Sequence, residues 1–429
     1  MATRRERLRG RHLRAVASLV LLAAVASCSS GSDGGAGGAG GAGGGAPKPG
    51  PTGASTTTRF ERPHAAPDPG DPAGDAFYRV PDPLPKGPPG QIIRLEAVTG
   101  GDAGTTSYRV MYHSRDATDH DRAVTGTITY PTGAAPKGGW PVVAWAHGTT
   151  GLTSACAPSR HQEQAPAFGI EGVRVATDYI GLGPIGERHS YLDGPAEAHA
   201  VIDSVRAART ISEAHASKDW VAVGHSQGGH SALWTNQLGQ AYAPELHLLG
   251  TVAVAPAAML TKTYGPSDQV VPRMVGVMAL YGAAADHPEV DPHDFVGSQV
   301  RKAEGVIDTG CLNAIVNAFV AIPADTFYAH DPLTTEPTRT LVRASDTGKV
   351  AVDAPLLVIY GTADPEVIPA RVHALYDRLC RVGQVTGLVR VDGATHDSVV
   401  PKAGSEITEW LQDRIDAKAA HDACDDGWS

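Results

Sequence analysis

The clearest chemical pattern in the chain is the segment Gly224–Gly229 (GHSQGG), in which Ser226 stands two residues from a glycine on either side. The segment follows the apolar run Trp220–Val223 and precedes residues 230–238, which have helical character. A serine on the tight turn between a buried strand and a helix forms a nucleophile elbow, where the helix amino terminus favours negative charge. Glycines are required there because a Cβ would collide with the neighbouring strand or helix. Ser226 is therefore predicted to be a nucleophile.

A serine hydroxyl is a weak nucleophile unless a base takes its proton and an acid orients that base. After an elbow of this type the acid and the histidine follow along the chain, in that order. Asp364 comes after the apolar run Leu356–Tyr360, and His396 comes after the run Gly387–Val391. Because the carboxyl ends of parallel strands meet at one sheet edge, both side chains should lie near Ser226. We predict His396 as the base and Asp364 as the acid.

Other residues near this pattern are weaker candidates. Three histidines are poorly placed for a base, because they belong to the elbow or to predicted helices: His225, His230 and His373. Asp353 precedes its strand and so lies at the wrong end of the sheet. Two aspartates flank His396 and remain alternatives to Asp364: Asp392 and Asp397.

Acyl transfer also needs two backbone N–H groups to bind the negative charge that develops on the carbonyl oxygen. Gln227, directly after the nucleophile, supplies one of them in elbows of this kind. The second should come from His147–Gly151 (HGTTG), the loop after the apolar run Pro141–Ala146. We predict that Thr149, which follows His-Gly, supplies this second N–H group, with Thr150 as the alternative.

The elements around these residues alternate in type. Three early segments are predicted to be antiparallel strands: Gln91–Val98, Ser107–His113 and Ala123–Tyr130. In the last, three threonines fall on one face, the period of a half-buried strand: Thr125, Thr127 and Thr129. After Pro141, short apolar runs alternate with amphipathic helices, predicted at Ala196–Ala214, Pro369–Arg381 and Ser405–Ala417. This pattern predicts an α/β fold with a mostly parallel sheet flanked by helices. Residues 256–353 interrupt it and are predicted to be an inserted helical cap or lid between core segments 91–255 and 354–429.

The first 90 residues predict export and a tether. Residues 1–27 have a basic start and an apolar stretch, the layout of a signal peptide. Val25–Cys28 (VASC) resembles a bacterial lipobox, in which Cys28 is diacylated and becomes the first residue; an ordinary signal peptide with an incidental cysteine is the alternative. Residues 28–90 are Gly- and Pro-rich and are predicted to be a disordered tether. We expect an extracellular protein that a lipid holds at the outer face of the cell membrane.

Charge and composition exclude several classes of function. With 42% apolar residues, the chain is not wholly disordered. Residues 1–27 carry six arginines and one glutamate, so their removal changes the net charge from −10 to −15. Such a chain disfavours nucleic acid, which needs clustered cations, and electrostatic adhesion to anionic lipid. No metal-binding histidine motif is present, and we expect a monomer with no cofactor.

Four cysteines follow Cys28: Cys156, Cys311, Cys380 and Cys424. An even count in an exported chain favours two disulfides, with buried free thiols as the alternative. The count alone allows three pairings.

Several segments together resemble the secretory lipases of the α/β-hydrolase superfamily, which occur in yeasts and actinobacteria. They are His147–Thr149, Cys156–Ser159 (CAPS), Asp178–Gly183 (DYIGLG), His189–Leu192 (HSYL), the elbow, Gly361–Asp364 and Gly393–His396. The resemblance implies an α/β-hydrolase fold, a helical cap over an acyl pocket, and hydrolysis of a carboxylic ester or lipid substrate. It also implies that Cys156 pairs with Cys311 and Cys380 with Cys424.

Two other classes of function remain open at this stage. The same triad could serve a transacylase or a peptidase, because fold and triad do not fix the acceptor or the bond. A non-catalytic surface binding protein could also use this scaffold, although such a protein is expected to have lost a member of the triad.

Overall fold

The computed structural model describes residues 75–99 and 101–426. Its nine strands in chain order are β1 Ile92–Ala97, β2 Thr105–Arg115, β3 Asp121–Pro131, β4 Trp140–Ala146, β5 Val173–Thr177, β6 Ala216–His225, β7 His247–Val254, β8 Leu356–Gly361 and β9 Thr386–Val391. They form one sheet in the order β1-β2-β3-β5-β4-β6-β7-β8-β9.

The sheet has an antiparallel part and a parallel part. The pairs β1–β2, β2–β3 and β3–β5 are antiparallel, whereas β5, β4, β6, β7, β8 and β9 run parallel to one another. The carboxyl ends of β4, β6, β8 and β9 therefore meet at one edge of the sheet. The predicted α/β fold with a mostly parallel sheet is confirmed.

Helices cover both faces of the sheet. In chain order they are α1 Asp75–Tyr78, α2 Gly194–Thr210, α3 Gln227–Tyr242, α4 Val270–Asp286, α5 Ser298–Ala303, α6 Gly305–Thr309, α7 Leu312–Phe319, α8 Thr338–Ser345, α9 Pro369–Val382, α10 Val399–Lys402 and α11 Gly404–Ile415. None of the helices in the described ranges is long and apolar enough to cross a bilayer.

Successive residues of the central strands feed two separate apolar cores. Val142 and Ala144 of β4 pack in one core with Val201 and Val205 of α2. Val143, between them, packs in the other core with residues of α9 and α11. Because side chains alternate along a strand, a strand buried on both faces becomes a continuous apolar run. This explains why the sequence marks these strands clearly.

Strand β3 is buried more completely than its sequence pattern indicates. Its threonines, expected on a half-exposed face, are all buried: Thr125, Thr127 and Thr129. Thr125 donates a hydrogen bond to Asp178 over 2.5 Å, and Thr129 donates one to Gln164 over 2.9 Å. Polar side chains can be buried when they are hydrogen-bonded, so the alternation did not reveal a covered face.

The packed structure begins earlier than the sequence indicates. Residues 75–90 were assigned to the tether, but Phe77 and Tyr78 of α1 are buried against Met111 and Ala123. The Tyr78 hydroxyl shares a 2.7 Å hydrogen bond with Ser159. The frequent prolines of this region mislead because they restrict helix and sheet formation without preventing the neighbouring aromatic rings from packing. Cys28 and residues 1–74 lie outside the described residues.

Residues 256–353, which we call the cap segment, lie between β7 and β8 and contain α4 to α8. They have an apolar core of their own, which also takes in Leu152, Tyr191 and Leu192 from loops of the sheet domain. Both disulfides implied by the family resemblance are present. Cys156–Cys311 ties the cap segment to the loop after β4, and Cys380–Cys424 ties α9 to the carboxyl-terminal tail.

Candidate active site

The side chains predicted to do chemistry come from four loops at the same sheet edge. Ser226 directly follows β6, and Thr149 lies three residues after β4. Asp364 lies three residues after β8, and His396 lies five residues after β9. The four strands are parallel, so their chain direction carries these residues to one edge.

Ser226 stands in a strained turn between β6 and α3. Its φ of 59° and ψ of −116° belong to a conformation that non-glycine residues rarely adopt. A Cβ at Gly224 would meet the Gly228 carbonyl oxygen, and a Cβ at Gly228 would meet the Ala146 carbonyl oxygen. The two glycines thus permit the close approach of strand, turn and helix that an elbow requires.

His396 is held by Asp364 through a short hydrogen bond. The Nδ1–H of His396 donates to Asp364 Oδ2 over 2.7 Å, and both residues are buried. Asp364 Oδ1 accepts backbone N–H bonds from Glu366 and Val367 over 2.8 and 2.9 Å. One carboxylate therefore closes its own turn and also orients the imidazole, which leaves Nε2 of His396 free to accept a proton.

The surroundings of His396 favour its protonated form. Burial opposes the charged imidazolium, but the hydrogen bond and the negative charge of Asp364, followed by Glu366 and Asp397, raise the pKa of His396 above its ordinary 6.5. A base with a raised pKa binds the serine proton more firmly in the transition state.

The other candidate acids and bases have different surroundings from Asp364 and His396. Asp392 is exposed and pairs with Arg390 over 2.8 Å, and Asp397 is exposed to solvent. His230 lies in the interior, where its Nδ1 bonds to Glu197 over 2.9 Å. His373 lies on α9, where its ring meets the Tyr360 ring edge-on at 5.1 Å.

His225 has a part that the sequence did not reveal. Its Nε2–H donates to the backbone carbonyl of His396 over 3.0 Å, and the two rings are 4.6 Å apart. Burial, with a smaller effect from His396, lowers the pKa of His225 to about 4, so it is neutral near pH 7. His225 thus fixes the loop of His396 against the turn of Ser226. Its position next to the nucleophile was the only signal in the sequence.

The loop that carries Thr149 lies beside the elbow and is held from several sides. A Cβ built on Gly148 would come within 3.6 Å of the Ser226 Cβ, which places the loop against Ser226. The Thr149 hydroxyl shares a 2.7 Å hydrogen bond with the Tyr191 hydroxyl. The Thr150 carbonyl accepts a 2.8 Å bond from the Leu312 N–H of the cap segment. Backbone N–H groups on this loop can therefore be held in a fixed direction.

A buried polar network lies behind the elbow. Gln227 Nε2 donates to His189 Nε2 over 2.7 Å and to Glu197 over 2.8 Å. His230 bonds through Nδ1 to Glu197 and through Nε2 to the Ser345 carbonyl, both over 2.9 Å. Because both partners of His230 are acceptors, each of its ring nitrogens must carry a proton. Burial opposes the charged imidazolium, but the hydrogen bond and negative charge of Glu197 raise the pKa of His230. Glu197 and His230 thus form a buried ion pair that supports the first turn of α3.

The motif segments behind the family resemblance contact one another around the Thr149 loop. The Tyr179 hydroxyl donates to the His147 carbonyl over 2.9 Å. Asp178 Oδ1 accepts the Ser159 backbone N–H over 2.9 Å. The sequence showed that these segments were characteristic, but it did not reveal these contacts, which join distant parts of the chain.

A cavity of about 360 Å³ opens between the cap segment and loops of the sheet domain. Most residues that line it are apolar, and they include Leu192, Leu260, Tyr264, Leu280, Leu341 and Val342. Tyr191 also lines the cavity and bonds to Thr149 through its hydroxyl. Tyr191 therefore contacts both the cavity and the Thr149 loop. Within the described ranges, no group of three or more His, Cys, Asp or Glu side chains could hold a metal ion.

Comparison with known families gives this geometry a context. The sequence pattern of the secretory lipases matches residues 165–423, more than half of the chain. The chain belongs to the secretory lipase family. Family membership confirms the predicted class of carboxylic-ester hydrolase and the predicted extracellular location. The matched range includes Ser226, Asp364 and His396, whereas Thr149 precedes it.

Two distant relatives of this secretory lipase family member match most of its length. The secreted triacylglycerol lipase LIP4 of Malassezia globosa is 25% identical over 388 residues, which is 82% of this chain and 83% of the relative. A protein of Mycobacterium tuberculosis named as a probable inactive lipase is 23% identical over 386 residues, 82% of this chain and 84% of its own.

Solved structures confirm the α/β-hydrolase fold. Candida antarctica lipase A in its closed state has a TM-score of 0.65 at 18% identity, with 81% of this chain and 87% of that one covered. The rice cell wall degrading esterase LipA of Xanthomonas oryzae also has a TM-score of 0.65, at 17% identity, with 78% of this chain and 100% of that one covered.

Proposed function

We propose that this protein hydrolyses carboxylic esters through a triad of Ser226, His396 and Asp364. The observation that carries the proposal is the 2.7 Å hydrogen bond from His396 to Asp364, in a loop bonded to the elbow of Ser226. A histidine oriented by a buried carboxylate beside a strained serine is the arrangement that activates a serine hydroxyl.

The reaction proceeds in two acyl transfers. Ser226 Oγ attacks the ester carbonyl while Nε2 of His396 takes its proton, and His396 then gives that proton to the leaving alcohol. Asp364 holds the imidazole ring in place and stabilises its cation. His396 next removes a proton from water, which attacks the acyl-enzyme. His396 then returns that proton to Ser226 Oγ as the bond to the acyl group breaks and the acid leaves. The steps balance in protons and need no metal or organic cofactor.

The backbone N–H groups of Gln227 and Thr149 are proposed to bind the oxyanion. Gln227 begins α3, so its N–H belongs to the helix terminus that favours negative charge. Its side chain is bonded to His189 and Glu197, which restrains the turn that carries this N–H. Thr149 is restrained through Tyr191.

The cap segment is proposed to cover an acyl pocket, with the cavity of about 360 Å³ as its apolar part. The apolar lining of this cavity suits an acyl chain, whose surface is removed from water when it binds there. We therefore expect esters of medium-chain acids to be better substrates than acetates. One relative is named a triacylglycerol lipase, and its substrate class is consistent with this expectation.

We further propose that Cys28 carries the lipid that anchors the enzyme to the outer face of the membrane. The proposal depends on Val25–Cys28 and on the glycine-rich stretch that follows it. Such a stretch gives a folded domain reach from an anchor. A monomer remains a prediction.

The activity is tested with p-nitrophenyl esters of C2 to C16 acids, measured below and above their solubility limits, with Ser226→Ala as the matched variant. We expect turnover in the wild type, a maximum at medium chain length, and loss of turnover in the variant. Hydrolysis that Ser226→Ala retains at the wild-type rate would overturn the triad. Peptide and alcohol-acceptor substrates in the same panel identify a peptidase or a transacylase.

A further inference from the structure

A second carboxylate lies at the other nitrogen of His396. Glu366 follows Asp364 by two residues, and its side chain places Oε2 3.8 Å from His396 Nε2. Asp364 binds Nδ1 of the same ring over 2.7 Å. The two nitrogens of His396 thus face two different carboxylates, and the mechanism above uses only one of them.

Glu366 lies close to the space through which the alcohol part of the substrate should leave. Nε2 is the atom that transfers a proton to the departing alcohol, so this alcohol passes close to Nε2. A carboxylate oxygen 3.8 Å from Nε2 is within reach of the same space. The side chain of Glu366 is 35% exposed, so a bound substrate can approach it.

The charge of Glu366 is not compensated by a fixed cation. Across the described ranges, His396 is the one basic residue that forms an ion pair within 4.0 Å of this carboxylate. Burial, followed by the negative charges of Asp397 and Asp364, raises the pKa of Glu366 although His396 opposes this. When His396 is neutral, the groups facing the leaving alcohol carry a net negative charge.

We propose that Glu366 sets the alcohol specificity of the enzyme, favouring esters of cationic alcohols and disfavouring esters of anionic alcohols. The inference depends on the proposed function, because it assigns the alcohol to the Nε2 side of His396. An opposite charge near the carboxylate is attracted, and an alcohol that carries a carboxylate or phosphate is repelled. Neutral esters lie between these two classes.

The test compares three esters of one medium-chain acid. Their alcohols are choline, its neutral isostere 3,3-dimethylbutanol, and glycolate. We measure kcat/KM at pH 8 and low salt for the wild type, Glu366→Gln, Glu366→Asp and the control Asp397→Asn. The control also removes one negative charge near His396, but from an exposed side chain.

We expect the choline-to-neutral ratio to fall about fivefold in Glu366→Gln, the size of a charge interaction near 4 Å in a largely aqueous medium. The glycolate-to-neutral ratio should rise by a similar factor. Glu366→Asp should retain most of the wild-type preference, and Asp397→Asn should alter it less than Glu366→Gln. Higher salt should weaken the preference of the wild type, a result that needs no variant to fold.

Equal ratios in the wild type and Glu366→Gln, with the neutral ester still hydrolysed, would overturn this inference and leave the proposed function intact. A wild-type preference that salt does not change would also overturn it. If the folded wild type hydrolyses none of the three esters, the proposed function fails, and the inference fails with it.

Discussion

His225 connects the two halves of the site through one hydrogen bond. Its ring donates to the carbonyl of His396 over 3.0 Å while its backbone adjoins Ser226. A small displacement between a serine and its base lowers the rate strongly, because proton transfer needs both groups within hydrogen-bonding reach. We therefore infer that His225 is a positioning residue and not a second base.

Replacing His225 with alanine should lower kcat about tenfold and change KM much less. The physical reason is that the His396 loop loses its bond to the elbow, while the substrate pocket keeps its walls. Steady-state kinetics on a soluble ester provide the measurement. His247→Ala is the control, because His247 is exposed at the start of β7. Unchanged kcat in His225→Ala would contradict a positioning role.

The acid limb of kcat/KM should have its midpoint above pH 6.5. His396 must be neutral to act as a base, and Asp364, Glu366 and Asp397 raise its pKa against the effect of burial. The neighbouring His225 is neutral in this range. A pH profile of kcat/KM measures the midpoint, and Glu366→Gln should shift it downward. A wild-type midpoint at or below 6.5 would contradict this account of the charges around His396.

At the scale of elements, the cap segment is fastened next to the loop of Thr149. Leu312, at the start of α7, donates its N–H to the Thr150 carbonyl over 2.8 Å. Cys311, one residue before it, is bonded to Cys156. The disulfide should therefore affect catalysis as well as stability, since Thr149 is a proposed oxyanion donor.

The second disulfide, Cys380–Cys424, provides a matched control for the effect of the first on catalysis. Cys156→Ala with Cys311→Ala should lower both kcat and thermal stability, whereas Cys380→Ala with Cys424→Ala should lower stability alone. The first disulfide spans 155 residues and the second 44, so the first loss should destabilise more, within a typical range of about 2–5 kcal/mol. Denaturant unfolding and kinetics on the same samples decide this. Equal kcat in both double variants would show that the cap attachment does not position the loop.

The sequence predicted the strands better than the interior contacts, for a physical reason. A strand buried on both faces appears as a continuous apolar run, so β6, β7 and β8 were recognisable without a structure. The buried threonines of β3 and the aromatic residues of α1 were misjudged. Their burial depends on partners such as Asp178, Gln164 and Met111, which lie far away in the chain.

The residues of the candidate site could likewise be predicted only where a local pattern marks them. Ser226, Asp364 and His396 could be selected because each follows a recognisable strand in a fixed order. The ion pair of Glu197 and His230 could not, because it joins two helices across 33 residues and no local pattern marks it. Glu366 was missed because its approach to His396 depends on how the loops after β8 and β9 meet.

For the whole molecule, the net charge of −15 after residue 27 gives no attraction to an anionic membrane. Localisation at the membrane would then depend on lipid at Cys28. In a bacterial host that processes lipoproteins, we expect the full chain to incorporate an alkyne-labelled fatty acid and to fractionate with membranes. Cys28→Ala should lose the label, and Ser226→Ala should keep it. A wild-type protein that lacks the label and appears free in the medium would contradict the anchor.

The central claim is that Ser226 is the activated nucleophile of a folded ester hydrolase. Labelling with a fluorophosphonate probe, followed by peptide mapping, tests it most directly, because the probe reacts with activated serines through the same attack. We expect one adduct, on Ser226, in the wild type. Ser226→Ala should show no adduct while its melting temperature stays within a few degrees of the wild type. A folded wild-type protein that forms no adduct at Ser226 would contradict the account.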